Sequence, residues 1–342
     1  MMPYDVGPIR PPSEARSLLI RLTRNCPWNR CEFCPVYKGQ RFEKKSVAEI
    51  QEDILRAAQF YGGRIPHVRT AFLQDADSLI LKTDELVTIL SFLKQAFPNL
   101  ERITSYGRGR TLARKSVEEW RAIQAAGLSR VHLGLETGCD ALLHYVQKGA
   151  TAQEMIEGGR RVVEAGLSLS VYVILGLGGQ AMWREHAVET ARVINQIGPD
   201  FIRFRTLCVR EGTPLREKLE RGEFILLPDE EIVREERLLL ERLEGIHSQV
   251  VSDHISNLLE EVMGRLPEDK EPMLSVLDRF LALSAEEQQI FMVGRRGQVF
   301  RCLYDLQDRE LRARIERAIQ RIEEERPGGL RETLQEWMER MI

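Results

Sequence analysis

The chain has 342 residues, 43% hydrophobic and 30% charged, and its 49 basic and 52 acidic side chains give a formal net charge of −3. That balance excludes a largely disordered chain, because there is enough apolar surface to offset the ordering entropy. It also excludes bulk electrostatic binding to nucleic acid, though not a local site, and the longest apolar run, at 171–175, is far below the ~18 residues of a spanning helix.

From residue 16 to about 207, short β-forming runs alternate with helical segments. The runs fall at 17–22, 68–73, 102–106, 130–135, 169–175 and 201–207, each apolar and rich in β-formers, as strands of a parallel sheet are. Between them Ser46 with Glu49, Ser116 with Glu119 and Thr151 with Glu154 fit the capping box, where hydroxyl and carboxylate satisfy free amides reciprocally. Gly127 and Gly166 stand where a glycine closes a helix. Six strand–helix units in a row predict a right-handed parallel α/β sheet or barrel.

After Gly222 the texture changes to Glu, Arg and Leu at helical spacing. Ile232, Leu239, Leu240 and Leu243 share one helix face, and Val251, Ile255, Leu258, Leu259 and Val262 another. Ser284 with Glu287 is a fourth capping box. The reading is two domains, 1–222 with its core at 16–207, and an all-helical subdomain at 223–342.

Six cysteines are too few for a disulfide scaffold, and residues 1–5 lack the basic-then-apolar order of a secretory signal. A reducing, cytoplasmic compartment is expected, where clustered cysteines serve as metal ligands or reactive thiols. Cys26, Cys31 and Cys34 form a C-x4-C-x2-C run just after the first strand. In parallel α/β folds function gathers on loops at the C-terminal ends of strands. A structural zinc site needs a fourth thiolate or imidazole, and none follows Cys34 before His67. A plant-type two-iron cluster also needs a fourth cysteine, and the next is Cys139. Three thiolates suit a 4Fe–4S cluster with one iron open to a small molecule. Cys139, Cys208 and Cys302 are isolated and expected as buried thiols.

This loop, with Phe33 before its last cysteine and six βα units around it, resembles the radical S-adenosylmethionine (SAM) superfamily over about residues 16–222. The x4 spacing is one residue longer than the commonest form. The resemblance implies a partial (β/α)6 TIM-like barrel with Cys26, Cys31 and Cys34 as cluster ligands and Phe33 near the adenine. It further implies that the open iron chelates SAM, that one electron cleaves the sulfonium bond, and that the 5′-deoxyadenosyl radical takes hydrogen from a substrate. By the same resemblance Gln74 and Asp75, in the run 73–78, stand where the SAM amino group is contacted. The segment 132–138 resembles the strand-four motif, with Glu136 on the ribose hydroxyls. The segment 173–180 resembles the adenine-contacting turn, with Gly176 and Gly178 allowing close backbone approach, and with Gln180 where Glu is common. The segment 205–215 resembles a sixth-strand ending found in tRNA-modifying, porphyrinogen-acting and cobalamin-dependent members. With 25 residues before Cys26, no N-terminal cobalamin domain is expected.

Strand parity predicts the barrel lining. Glu136, Gly134 and His132 share one face, and Ser168, Ser170 and Tyr172 another that faces inward, with Leu169, Val171 and Val173 outward. Arg203 and Arg205 are expected inside, since arginines pressed on an apolar helix layer would be costly, and Arg21, Arg108 and Arg110 near the top. His132, Arg203 and Arg205 are therefore the candidate catalytic residues. An anionic small-molecule or peptide substrate is expected, because guanidinium forks match carboxylate or phosphate. The arginines could instead serve the SAM carboxylate, Glu136 or Asp75. The expected partners include an electron donor such as flavodoxin or ferredoxin, and no membrane. The alternatives are an RNA-modifying enzyme of the same superfamily, or a zinc-binding or redox-sensing scaffold.

Overall fold

Strand β1 (Leu18–Arg21) buries Leu18, Leu19 and Ile20 and runs parallel to β2 (Thr70–Gln74), with Leu18 opposite Ala71 and Arg21 opposite Gln74. These positions come from a computed structural model that describes residues 2–340. β2 pairs in parallel with β3 (Arg102–Gly107), and β3 with β4 (Arg130–Glu136). β5 (Ser168–Leu175) and β6 (Phe201–Thr206) follow, and β6 pairs in parallel with β7 (Gln249–Val251), which turns antiparallel into β8 (Gly264–Arg265). The six long strands start or end within two residues of the runs read from sequence.

The helices alternate with them: α1 (Val47–Tyr61), α2 (Thr83–Ala96), α3 (Gly109–Arg114), α4 (Val117–Ala126), α5 (Asp140–Tyr145), α6 (Ala152–Glu164) and α7 (Gly179–Ile197). Then come α8 (Pro214–Glu220), α9 (Asp229–Arg242), α10 (Lys270–Leu281), α11 (Ala285–Arg296), α12 (Arg309–Glu325) and α13 (Leu330–Arg340). All four capping boxes form, at Ser46, Ser116, Thr151 and Ser284, each hydroxyl accepting the amide three residues on. Such caps contribute about 1 kcal/mol each and fix where the helices begin. Gly127 (φ 128°) and Gly166 (φ 81°) close α4 and α6 as expected. Among the described residues no helix is long and apolar enough to cross a membrane.

The chain forms two compact units. Among the described residues, the first holds those up to Leu135, with Leu143–Tyr172 and Gln196–Asp200; the second holds Glu136–Leu142, Val173–Asn195 and those from Phe201 to Arg340. In the first unit one sheet face carries Phe72, Tyr106, His132 and Tyr172, whose rings touch in series at 5.1, 5.9 and 6.0 Å between centroids. The Arg130 Nε donates to Ser168 Oγ at 3.1 Å, so Ser168 and Tyr172 share the face of Arg130 and His132. Val131, Leu133, Leu169 and Val171, on the opposite parity, are fully buried. The alternation expected for β4 and β5 thus places Arg130, His132, Ser168 and Tyr172 on one face.

The region after Gly222 is not all helical. A helix was expected through Val251 to Val262, but Val251 ends β7 and residues 252–263 are irregular. Ser252, Ser256 and Asn257 lie in this stretch, buried. Asn257 Nδ2 donates to Phe204 O and Ser252 O at 3.0 and 3.2 Å, and Ser256 Oγ accepts Thr206 N at 3.2 Å. Such side chains offer the backbone an alternative to helical bonding. Arg295 and Arg296 on α11 satisfy the freed carbonyls of Ser256, Asn257 and Leu258.

Candidate active site

The loop after β1 is closed by a short antiparallel pairing of Thr23–Arg24 with Glu43–Lys44. Asn25 (φ 67°) and Asn29 (φ 52°) take the left-handed conformation that asparagine tolerates best among residues with a side chain. The Asn29 side chain donates to the Tyr37 and Gln40 carbonyls, which folds the loop back on itself. Its backbone N–H donates to the Cys26 sulfur at 3.4 Å. Lys38 Nζ donates to the Cys31 carbonyl at 2.9 Å and the Asn29 carbonyl at 3.3 Å. Cys26, Cys31 and Cys34 are half-buried.

The loop docks on residues 146–149 of the same unit. Glu32 N donates to Val146 O at 2.9 Å, Gln147 Nε2 to Glu32 Oε1 at 2.8 Å, and Trp28 Nε1 to Gln147 O at 2.6 Å. The Trp28 ring lies under two guanidinium groups, Arg30 and Arg108, each 5.3 Å from its centroid. Lys148 Nζ sits 5.9 Å from the Phe33 ring centroid. Arg108, expected near the top of the lining, also donates to the Lys148 and Gly149 carbonyls, while Arg110 is half exposed beside Glu154 at 3.6 Å.

Among the described residues no three Cys, His, Asp or Glu side chains converge on one ion. Three thiols on one loop, with an N–H aimed at a sulfur and an ammonium group beside the loop, fit a polynuclear iron–sulfur cluster, whose sulfurs are tuned by such hydrogen bonds.

Gln74 and Asp75 end β2 fully buried. The Gln74 amide is used at both ends: Oε1 accepts Gly7 N at 2.9 Å, and Nε2 donates to Gly7 O and Ile9 O at 3.1 and 2.7 Å. Asp75 Oδ2 accepts Arg21 Nε and Nη2 and the Asn25 backbone N at 3.0, 2.6 and 3.1 Å, while Oδ1 accepts the Tyr37 hydroxyl. Burial and the Asp75 carboxylate push the Tyr37 phenol far up, so it stays a donor. Arg21 is also bound to Asp5 at 3.0 Å. In this structure Gln74 and Asp75 thus hold the N-terminal segment and the cysteine loop, and Arg21 serves Asp75.

His132 is fully buried, with Nε2 3.7 Å from Glu14 Oε1. Burial works to raise the Glu14 carboxyl, but His132, Ser17 and Arg102 hold it below the usual range. A carboxylate–imidazole pair of this kind can hold a proton at a defined place. Glu14 escaped sequence reasoning because it sits in a single 3₁₀ turn (Pro12–Glu14) with no periodic signature.

The second unit holds the other candidates. Glu136 ends β4 at φ 62°, a conformation rare for a residue with a side chain and often stored at functional sites. Gly176 takes φ 80°, and a Cβ at Gly178 would lie 2.8 Å from the Met182 backbone, so both glycines are required by geometry. Arg203 is buried, with Nη1 3.8 Å from Asp253 Oδ2 and its guanidinium 5.6 Å from the Phe201 ring centroid. Beside them, His254 is pushed down to about 4 by burial and by the Arg205 charge, and its Nδ1 lies 2.6 Å from Ser256 Oγ. The apolar spacing of 251–262 puts Asp253 and His254 on a helix, so their place near these arginines carries no sequence signal. Cys139 is buried as expected, whereas Cys208 and Cys302 are only half-buried, and burial raises the Cys208 thiol.

A profile of the Radical SAM superfamily matches residues 20–191, just over half of the chain. A tRNA uridine(34) acetyltransferase of Methanocaldococcus jannaschii is 28% identical over 108 residues, 31% of this chain and 20% of that protein. An uncharacterized methyltransferase of Pyrococcus horikoshii is 25% identical over 201 residues, 58% of this chain and 41% of that protein. The chain thus spans well under two thirds of these curated relatives. Among solved structures, the cobalamin-dependent S-adenosylmethionine radical enzyme OxsB, with aqua-cobalamin and S-adenosylmethionine bound, superposes with a TM-score of 0.50 at 14% identity. That match covers 95% of this chain and 58% of OxsB, and at this identity the likeness is one of fold. With its mostly parallel strands, the chain has the α/β partial-barrel fold of that group. It belongs to the radical SAM superfamily, a superfamily of enzymes whose cofactors are a 4Fe–4S cluster and S-adenosylmethionine.

Proposed function

We propose that this chain generates a 5′-deoxyadenosyl radical and uses it to take a hydrogen atom from an anionic small-molecule or peptide substrate. The observation that carries the reading is the cysteine loop: three cysteines on one folded segment, with the Asn29 N–H on Cys26 and Asp75 anchoring Asn25 next to it. A 4Fe–4S cluster held by Cys26, Cys31 and Cys34 would supply one electron to S-adenosylmethionine, giving methionine and the deoxyadenosyl radical. An electron donor such as flavodoxin or ferredoxin would deliver that electron.

The chain's own residues do the rest. Glu136 offers a carboxylate to the vicinal ribose hydroxyls, and the Gly176 and Gly178 backbone lies flat against the adenine. Arg203 and Arg205 bind the substrate's carboxylate or phosphate, as guanidinium forks do. The His132–Glu14 pair holds a proton within the first unit.

The test is 5′-deoxyadenosine release by anaerobically reconstituted protein given S-adenosylmethionine and a strong reductant. Release that vanishes when Cys26, Cys31 and Cys34 become Ala is the expected result. Zinc bound in place of iron would overturn the reading. A second reading, an RNA substrate, is favoured by the tRNA-directed relative; stimulation of release by RNA rather than by small anions would select it.

A further inference from the structure

We propose that Glu235 and His186 are positioning residues for the adenosyl end of the cofactor, joining the Gly176 turn to the Thr137 turn beside Glu136. The proposal rests on the reading that Glu136 and Gly176 meet the nucleoside, and it makes the helices after β6 part of that site.

Glu235 lies on α9, fully buried, and its Oε2 accepts the Gly176 backbone N–H at 2.5 Å. Gly176 is in the left-handed region, and Ile232, one turn before Glu235, has its Cδ1 3.2 Å from where a Cβ on Gly176 would sit. The turn is therefore gripped both by a hydrogen bond and by packing from α9. His186, on α7, is also fully buried. Its Nε2 is 3.1 Å from the Ile174 carbonyl, two residues before Gly176, and its Nδ1 is 2.8 Å from Thr137 Oγ1, one residue after Glu136. A carbonyl only accepts, so Nε2 carries the proton and Nδ1 accepts from the Thr137 hydroxyl. Thr190 Oγ1 stands 3.2 Å from the same Nδ1 and accepts the Gly138 N–H at 2.9 Å.

The bonds run from Gly138 to Thr190, from Thr190 and Thr137 to His186, and from His186 to Ile174, while Gly176 to Glu235 is a separate bond whose carboxyl lies 4.0 Å from His186 Nε2. Burial drives both titratable members towards their neutral forms. Burial raises the Glu235 carboxyl well above the usual carboxylate range, and burial pushes His186 down to about 4. Neutral groups need no counter-ion in a dry interior, so the network costs no charge burial. A strained Glu136 and a left-handed Gly176 persist only where surrounding structure over-determines them, and this network does so for both turns.

The test measures binding of S-adenosylhomocysteine to the reconstituted protein by calorimetry, alongside iron content and thermal melting. Glu235→Gln keeps an acceptor for Gly176 N and is expected to bind within about twofold of wild type. Glu235→Leu removes the acceptor and is expected to weaken binding by about tenfold or more, the scale of a small misplacement at a site. The KM for S-adenosylmethionine should rise with kcat and iron content preserved. Folded Glu235→Leu with wild-type affinity would overturn the proposal. Should that variant fail to fold, Thr137→Val, which removes one hydroxyl, carries the same test. Glu136→Ala separates the two levels: if it too binds like wild type, the nucleoside reading itself falls; if it binds weakly while Glu235→Leu does not, only the positioning role falls.

Discussion

The Asp75 carboxylate holds the Arg21 guanidinium at two points, Nε at 3.0 Å and Nη2 at 2.6 Å. The same oxygen accepts the Asn25 backbone N at 3.1 Å, so an acid fifty positions along the chain sets the residue just before Cys26. Asp75→Ala leaves Arg21, with a side chain only 13% exposed, with Asp5 as its remaining carboxylate partner. Breaking a buried pair in this way costs about 3 kcal/mol. The expected outcome is a lower denaturant midpoint together with reduced iron loading, and Asp75→Asn falls between the variant and wild type. Full iron loading in a folded Asp75→Ala protein would show that the carboxylate does not organise the loop.

Gly149 makes a second test of loop placement. It sits at φ 69°, and a Cβ there would lie 2.3 Å from the Trp28 ring. Gly149→Ala therefore combines backbone strain with a clash, and overpacking of this kind costs about 1–3 kcal/mol. Gly39→Ala supplies the control, since Gly39 has φ 73° but nothing within 4 Å. Tryptophan fluorescence and iron content should change in Gly149→Ala and stay near wild type in Gly39→Ala. Equal behaviour of the two would assign the effect to strain alone.

Burial raises the Glu236 carboxyl from 4.5 to about 8. Between those values the folded state keeps a proton that the unfolded state has released. Stability therefore falls as pH rises through that window, by up to about 1.4 kcal/mol per pH unit. Glu236→Gln lacks the titration, so its stability relative to wild type should grow from pH 5 to pH 8 in urea unfolding. His186 acts at the other limb: its value of about 4 against 6.5 means stability is lost as pH falls from 6.5 towards 4. A variant-minus-wild-type difference that stays flat with pH would refute the role of Glu236.

What could be read in the sequence was local. A capping box needs only residues three apart, and all four form. Strand parity needs only alternation, and Arg130, His132, Ser168 and Tyr172 do share a face. The pairs that anchor the site are distant: Gly7 with Gln74 is 67 residues apart, and Gly176 with Glu235 is 59. Such contacts leave no periodic trace, so the part Gln74 and Asp75 play in holding the N-terminal segment and the cysteine loop could not be read from spacing. The stretch 252–263 misled for the opposite reason. Its apolar spacing is helical, but Ser252, Ser256 and Asn257 bond the backbone elsewhere, and no spacing rule contains that competition.

Arg203 offers the sharpest handle on the substrate. Its guanidinium lies 3.8 Å from the half-exposed Asp253 carboxylate, so an anionic substrate as proposed would compete with Asp253 for the same cation. Inorganic phosphate can stand in for the substrate's anionic group. It should inhibit 5′-deoxyadenosine release more than chloride at matched ionic strength, which removes general screening from the comparison. Asp253→Asn removes the competitor and should make phosphate inhibit at several-fold lower concentration. Arg203→Met removes the binder and should shift inhibition the other way. The two substitutions change the local charge in opposite directions, so a common structural disturbance would move both the same way, whereas an anion site moves them apart. Phosphate sensitivity unchanged in both would remove Arg203 from substrate recognition and leave it as the internal partner of Asp253.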